Sequence, residues 1–219
     1  MATNAIDLTT VANVKAWAQI QTSGDDQIVQ DAITAFSAYV LKLTARGPAD
    51  GSIPATSPFV TPVSYDEVYD GNGNNELPLR NWPITAVALV NAGGIVIPAS
   101  GDVSSPGYVI DQSKKFLVIR YGGVAYPYGR GARGPRYSYA GWPLGTQNVE
   151  VQYTAGFSGV PFDLEMLARK VCALNYRRRS SIGQKSQAMA AGAGTISFGD
   201  WEMDKEDMRT IDYYRSRVA

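Results

Sequence analysis

Asn148-Val-Glu-Val-Gln-Tyr-Thr-Ala-Gly-Phe-Ser-Gly-Val-Pro-Phe-Asp-Leu-Glu-Met-Leu-Ala-Arg-Lys-Val-Cys-Ala-Leu-Asn-Tyr-Arg-Arg-Arg-Ser-Ser181 changes its hydrophobic period partway along. Its first six residues alternate, with Val149, Val151 and Tyr153 on one face, which predicts a strand. Gly156 and Gly159 break the chain. Pro161 follows, at a position where a helix begins without losing a needed N–H donor. Leu164, Leu167, Ala168, Val171 and Leu174 then fall at helical spacing and predict a helix over 161–181. It finishes in Arg177, Arg178 and Arg179, where positive charge suits the negative end of the helix dipole. A strand, a glycine turn and an arginine-ended helix are parts for packing and assembly. They supply no chemistry.

Toward the N-terminus the helical period returns. Thr9 or Thr10 caps a short helix over 9–20, with Val11, Val14 and Ala18 on one side. After the turn Thr22-Ser23-Gly24, Asp25 or Asp26 opens a second helix that runs to Gly47-Pro48. Its apolar positions are Ile28, Val29, Ala32, Ile33, Phe36, Tyr39, Val40 and Leu43. A proline-rich loop over 47–64 leads into short strands predicted at 63–69, 76–80, 85–90, 95–97, 108–110 and 116–121. Residues 122–147, rich in Gly, Tyr, Arg and Pro, read as a long loop. The expected class is α+β. An N-terminal helical hairpin and a long C-terminal helix surround an inserted small antiparallel β-sheet, with an extended C-terminal arm.

The arm begins after a body of residues 1–182. Residues 183–199 are Gly, Ala and Ser rich, with 195–198 as an isolated strand. A last helix starts near Asp204, with Glu206 and Asp207 in its first turn and Arg215 and Arg217 in its last. Met208, Ile211, Tyr214 and Val218 form a narrow apolar stripe, and Trp201 precedes them as an aromatic anchor. A stripe this thin suits docking on another chain better than filling a core, and packing back on its own subunit is the alternative.

The chain has 219 residues, no histidine and a single cysteine, Cys172. The commonest general base and metal ligand are therefore absent, as is any internal disulfide. Cys172, on the long helix beside Val171, reads as a small buried apolar residue. Gly129-Arg-Gly131-Ala-Arg-Gly134 spaces its glycines like a dinucleotide loop, yet Pro135 follows and no helix opens there. Asp70-Gly-Asn72-Gly-Asn74 starts like a calcium loop, but Asn75 and Asn81 stand where glycine and glutamate are required. No catalytic residue, metal site or cofactor site is expected. No segment resembles a signal peptide or is long enough to span a bilayer, so the expected place of synthesis is a cytosol.

Net charge is zero, but it is unevenly distributed: residues 1–111 hold 11 acids and 4 bases, and residues 112–219 hold 9 acids and 16 bases. Such polarity favours ordered contact between faces of opposite sign, unless the halves interleave in space. Residues 112–149 contain Lys114, Lys115, Arg120, Arg130, Arg133 and Arg136 and no acid. Tyr126, Tyr128, Tyr137 and Tyr139 lie among the arginines. Arginine with aromatics serves a nucleic-acid contact and a protein interface alike. The zero net charge favours the interface. Arg177, Arg178 and Arg179 project about 100° apart around their helix. They cannot all serve one intrachain partner, so at least one is expected to pair with an acid of a neighbouring subunit or another protein.

The order of elements resembles the head–tail connector (adaptor) family of long-tailed bacteriophages. Leu8-Thr-Thr-Val-Ala-Asn-Val-Lys-Ala-Trp17 is similar to that family's opening helix, and Asp25-Asp-Gln-Ile-Val-Gln-Asp-Ala-Ile33 to its second, closed by Tyr39-Val-Leu-Lys-Leu-Thr-Ala-Arg46. Tyr69-Asp-Gly-Asn-Gly-Asn-Asn-Glu-Leu-Pro-Leu-Arg-Asn-Trp-Pro-Ile84 resembles its hairpin and Leu-x-x-x-Pro-Ile step. Val149 to Gly156, Pro161 and the arginine helix end resemble its last strand and long helix. The long 122–147 loop departs from the pattern. The resemblance implies a non-enzymatic virion protein of the neck, made in the host cytoplasm. It implies a homo-oligomeric dodecameric ring, joined to the portal protein on one side and a stopper or tail protein on the other. Double-stranded DNA would pass through the lumen without sequence-specific binding, and no membrane is involved. Residues 200–218 would dock on the portal. A stopper or tail terminator is the rival within the neck, against which the helical hairpin at 9–46 argues. A nucleic-acid-binding protein using 112–149 is the rival from another class.

Overall fold

The computed structural model describes residues 4–46, 54–102, 105–120, 141–179 and 203–216, with the backbone of 186–188 and 195–197. The chain divides into two units, one of Met1–Thr61 with Ser158–Arg215 and one of Pro62–Phe157 with Ser216–Ala219. The class is α+β, as the sequence predicts.

The first unit is helical. Thr10 caps α1 (Val11–Ala18), its Oγ1 accepting from the Asn13 N–H at 3.2 Å. Helix α2 (Asp26–Leu43) returns alongside it, and α3 (Phe162–Arg178) packs against both. Val14 and Ala18 of α1 join Val29, Ile33, Phe36 and Val40 of α2 and Leu164, Leu167, Ala168, Val171 and Cys172 of α3 among the buried side chains. Ile28 and Tyr39, expected with the apolar stripe of α2, are exposed. Each lies one residue, about 100° of rotation, before a buried member of the stripe, so the seam passes them by. Polar groups tie the helices at defined points. Lys15 Nζ meets Asp26 Oδ1 at 2.6 Å, and Asn13 Nδ2 donates to Glu165 Oε1 at 2.9 Å. The buried Asp7 carboxylate accepts from Gln30 Nε2 at 2.6 Å and Thr34 Oγ1 at 2.9 Å, pinning the segment before α1 onto α2.

The second unit is all β, and it corrects the single small sheet expected. Strands β1 (Val63–Gly71), β7 (Gly145–Ala155), β3 (Ile84–Ala92) and β4 (Ile95–Val96) form one antiparallel sheet in the order β1-β7-β3-β4. Strands β2 (Glu76–Pro78), β6 (Phe116–Arg120) and β5 (Gly107–Ile110) form another in the order β2-β6-β5. Their inner faces share one core, in which Tyr69, Val90, Val149, Val151 and Tyr153 meet Leu77, Leu117, Ile119 and Tyr108. β7 is central, pairing Val63 with Ala155 and Tyr69 with Val149 on one side, and Val90 with Val151 on the other.

The long loop expected over 122–147 ends earlier than composition suggested. β7 begins at Gly145, and Trp142 before it is fully buried in the β core. The Trp142 N–H donates to Asn74 O at 2.7 Å and its carbonyl accepts from Gly73 N at 2.9 Å, so the β1–β2 turn fixes its backbone. Glycine is required at 141, because a Cβ there would sit 2.2 Å from Gly73 O. Thr195–Ser197, expected as an isolated strand, pairs as β9 with β8 (Ser186–Ala188).

Candidate functional site

Arginines 177 and 179 are tied within their own unit. Arg177 Nη2 donates to Ala18 O at 3.0 Å, meeting the carbonyl at the C-terminus of α1, where cationic groups are favoured. Arg179 pairs with Asp25 Oδ2 at 3.2 Å, and its guanidinium lies 3.9 Å from the Tyr176 ring centre. Tyr176 OH donates to the same Asp25 oxygen at 2.5 Å. Arg178 is half-buried. Arg177 and Arg179 therefore close the helix hairpin at the end of α1 and at Asp25. Arg177 and Arg179 remain exposed beside those contacts.

The C-terminal helix α4 (Lys205–Tyr213) begins with a capping box. Asp204 Oδ1 accepts from the N–H groups of Glu206 and Asp207, and Asp207 Oδ2 accepts from the Asp204 N–H. Lys170 of α3 reaches both carboxylates, at 3.0 Å to Asp204 and 2.9 Å to Asp207. Those bonds, Asp207 first, raise the Lys170 pKa, and the Asp207 N–H followed by Lys170 lowers that of Asp204. At the far end, Arg46 Nε donates to Tyr214 O at 2.8 Å, and Tyr214 OH donates to Asp163 Oδ1 at 2.8 Å. Phe59 meets the Tyr214 ring edge-on at 5.8 Å.

These contacts correct the picture of a free apolar stripe. Ile211 and Tyr214 are buried in the helical unit, and Met208 is half-buried. The exposed side of α4 carries Tyr213, at 62% exposure, and just past the helix Arg215 pairs with Asp212 at 2.9 Å. Because α4 ends at Tyr213, Arg215 lies beyond the last turn where it was expected. Trp201 and Val218 lie outside the described residues, as do Tyr126, Tyr128, Arg130, Arg133 and Arg136 of the basic loop.

Sequence reasoning missed a polar cluster in the β unit. Glu67 faces inward between Tyr65 and Tyr69 on β1, and its carboxylate accepts from Tyr69 OH and, at 2.6 Å, from Tyr153 OH of β7. The two hydroxyls lie 3.1 Å apart. Tyr69 OH also accepts the Arg80 N–H at 3.0 Å, and Tyr153 OH the Asn81 N–H at 3.2 Å. Three side chains thus hold the backbone of the segment before β3. Burial first, then the Glu67 bond, holds the Tyr69 hydroxyl protonated far above the ordinary tyrosine range. For Tyr153 burial again comes first and the neighbouring Tyr69 next. A carboxylate in a row of tyrosines was the available signal.

Burial, then the charge of Asp7, pushes the Cys172 thiol up to about 12. At pH 8 it is a protonated thiol inside the helical core. Ellman's reagent is expected to leave it untouched in the native protein and to titrate it fully in denaturant. Stoichiometric reaction within seconds under native conditions would show that α3 does not seal it. Among the described residues no cluster of three or more Cys, Asp or Glu is placed to hold a metal ion, and no helix is long and apolar enough to cross a membrane.

No protein-family model matches the chain, and no curated protein matches it. Among solved structures, a chain from the neck of a native GTA particle, computed with C12 symmetry, is similar at 16% identity with a TM-score of 0.46. The similarity covers 100% of this chain and 94% of that one. A chain from the neck of an empty GTA particle, computed with C6 symmetry, is similar at 19% identity with a TM-score of 0.46 and the same coverage.

Proposed function

We propose that this chain is a head–tail adaptor: a structural protein whose copies close a dodecameric ring between a portal and a stopper or tail protein. DNA passes through the centre of that ring. The supporting observation is the sequence resemblance together with the order of elements it anticipates. A helical hairpin and a long arginine-ended helix make one unit, and the strands lie between them in the chain. The protein is placed in the virion neck, without catalysis and without a cofactor. Portal docking falls to residues 200–218. Ile211 and Tyr214 are buried in α4's own unit, and the exposed Tyr213 and Arg215, with Trp201 and Val218, are the residues assigned to the partner. Arg177 and Arg179, exposed beside their own-chain contacts, serve the neighbouring subunit or the portal.

The test is electron microscopy of the protein alone and mixed with the portal of the same particle. Class averages of the mixture are expected to show a closed ring seated on the portal. Particles bearing portal alone, at protein concentrations above ten micromolar (about three times what a ~1 µM contact needs to be mostly filled), would overturn the assignment.

A further inference from the structure

We propose that the outer face of the four-stranded sheet is the seat for residues 121–140 of a second copy of this chain. The proposal rests on the ring reading above and names the contact that would repeat around it.

The face is defined by alternation. On β1 the side chains of Ser64, Asp66, Val68 and Asp70 point away from the core, while Tyr65 and Tyr69 point into it. The register sets Val68 opposite Glu150 of β7. Val68 is therefore flanked along its own strand by Asp66 and Asp70 and across the sheet by Glu150. It is 55% exposed, a bare aliphatic side chain bordered by three carboxylates. The strands β1, β3, β4 and β7 contain no lysine or arginine at all. The three carboxylates accept only neutral donors: Asp66 from Gln152 Nε2 at 3.3 Å, Glu150 from Asn91 Nδ2 at 3.3 Å, and Asp70 from the Gln147 N–H at 2.6 Å. Among the described residues none of them has a cationic partner.

An occupant of this face needs positive charge for the carboxylates and apolar area for Val68. Residues 121–140 have both, and no acid: Arg130, Arg133 and Arg136 stand among Tyr121, Tyr126, Tyr128, Tyr137 and Tyr139. Guanidinium groups pair carboxylates with directional, charge-assisted bonds, and tyrosine rings cover aliphatic surface at low entropic cost. Two different patches on one chain, each complementary to the other, make a heterologous contact, and such a contact closes into a ring when its rotation allows.

The experiment uses two full-length variants assembled with the portal. One carries Asp66→Lys and Glu150→Lys, at outward positions whose change leaves thermal unfolding nearly unaltered. The other carries Arg130→Glu, Arg133→Glu and Arg136→Glu. Each alone is expected to lose ring yield by at least about tenfold, since like charges then face each other across every contact. An equimolar mixture of the two is expected to restore rings, because every contact in an alternating ring is again of opposite sign. Normal assembly of either variant alone would overturn the proposal. So would failure of the mixture when a single chain carrying all five changes assembles, which would place the segment on its own sheet. Loss of DNA retention with unchanged assembly in the arginine variant would give the segment to nucleic acid instead. Failure of the unmodified protein to form a ring overturns the adaptor assignment itself, and is distinct from each of these.

Discussion

Replacing Trp142 by alanine is expected to destabilise the β unit by about 3–5 kcal/mol, as for other large aromatic truncations in a core. Its side chain is fully buried and sits among Tyr69, Val149, Leu117 and the other inward residues of both sheets. A loss of that size is a large fraction of the roughly 5–15 kcal/mol that holds a domain folded. Trp142→Phe is expected to lose much less, because the indole N–H makes no hydrogen bond among the described residues. Urea unfolding followed by circular dichroism measures both. A cost under about 1 kcal/mol for the alanine variant would show that the segment before β7 is not part of the core.

Alkaline pH is expected to unfold the β unit through Tyr69 and Tyr153. In the unfolded chain a tyrosine loses its proton near pH 10, whereas burial and Glu67 keep both hydroxyls protonated in the fold. Their contribution is fully present below pH 10. Above it the unfolded state binds fewer protons than the folded one, so stability falls as pH rises. Each tyrosine contributes about 1.4 kcal/mol per pH unit, so the pair gives a slope of roughly 2.7. Urea midpoints between pH 9 and pH 11.5 measure this slope. Tyr69→Phe with Tyr153→Phe is expected to start lower, having lost the Glu67 bonds, and to fall less steeply. Parallel slopes for the two proteins would refute the account.

Much of the fold was legible because its signals are local. The alternation of Val149, Val151 and Tyr153 and the spacing from Leu164 to Val171 mark β7 and α3 whatever lies around them. Trp142 was not legible. It stands between Gly141 and Pro143 in a loop-like stretch, and its burial depends on Asn74 and Gly73 across a turn. The stripe of α4 was read from its period, but its seat was not. Arg46, Phe59 and Asp163 come to Tyr214 from distant parts of the chain, and no local pattern announces them. Ile28 shows the converse error: an apolar residue one step off a seam looks internal in a list of apolar positions and is exposed in the fold.

The position of β7 sets an order of events during synthesis. β1 and β3 never pair with each other: β1 pairs with β7, and β3 pairs with β7 and with the two-residue β4, so the sheet closes only on β7, whose residues run to Ala155. Val63 leaves the ribosome many seconds before Ala155 does, at the roughly 5–20 residues per second of translation. For that interval β1 has no partner among the described strands of its sheet, and β3 has only the two-residue β4. The nascent chain therefore carries unpaired strand edges until β7 arrives, and the sheet closes through contacts of long sequence separation, which are slow to form. The chain is then most exposed to aggregation during synthesis, before β7 has been made.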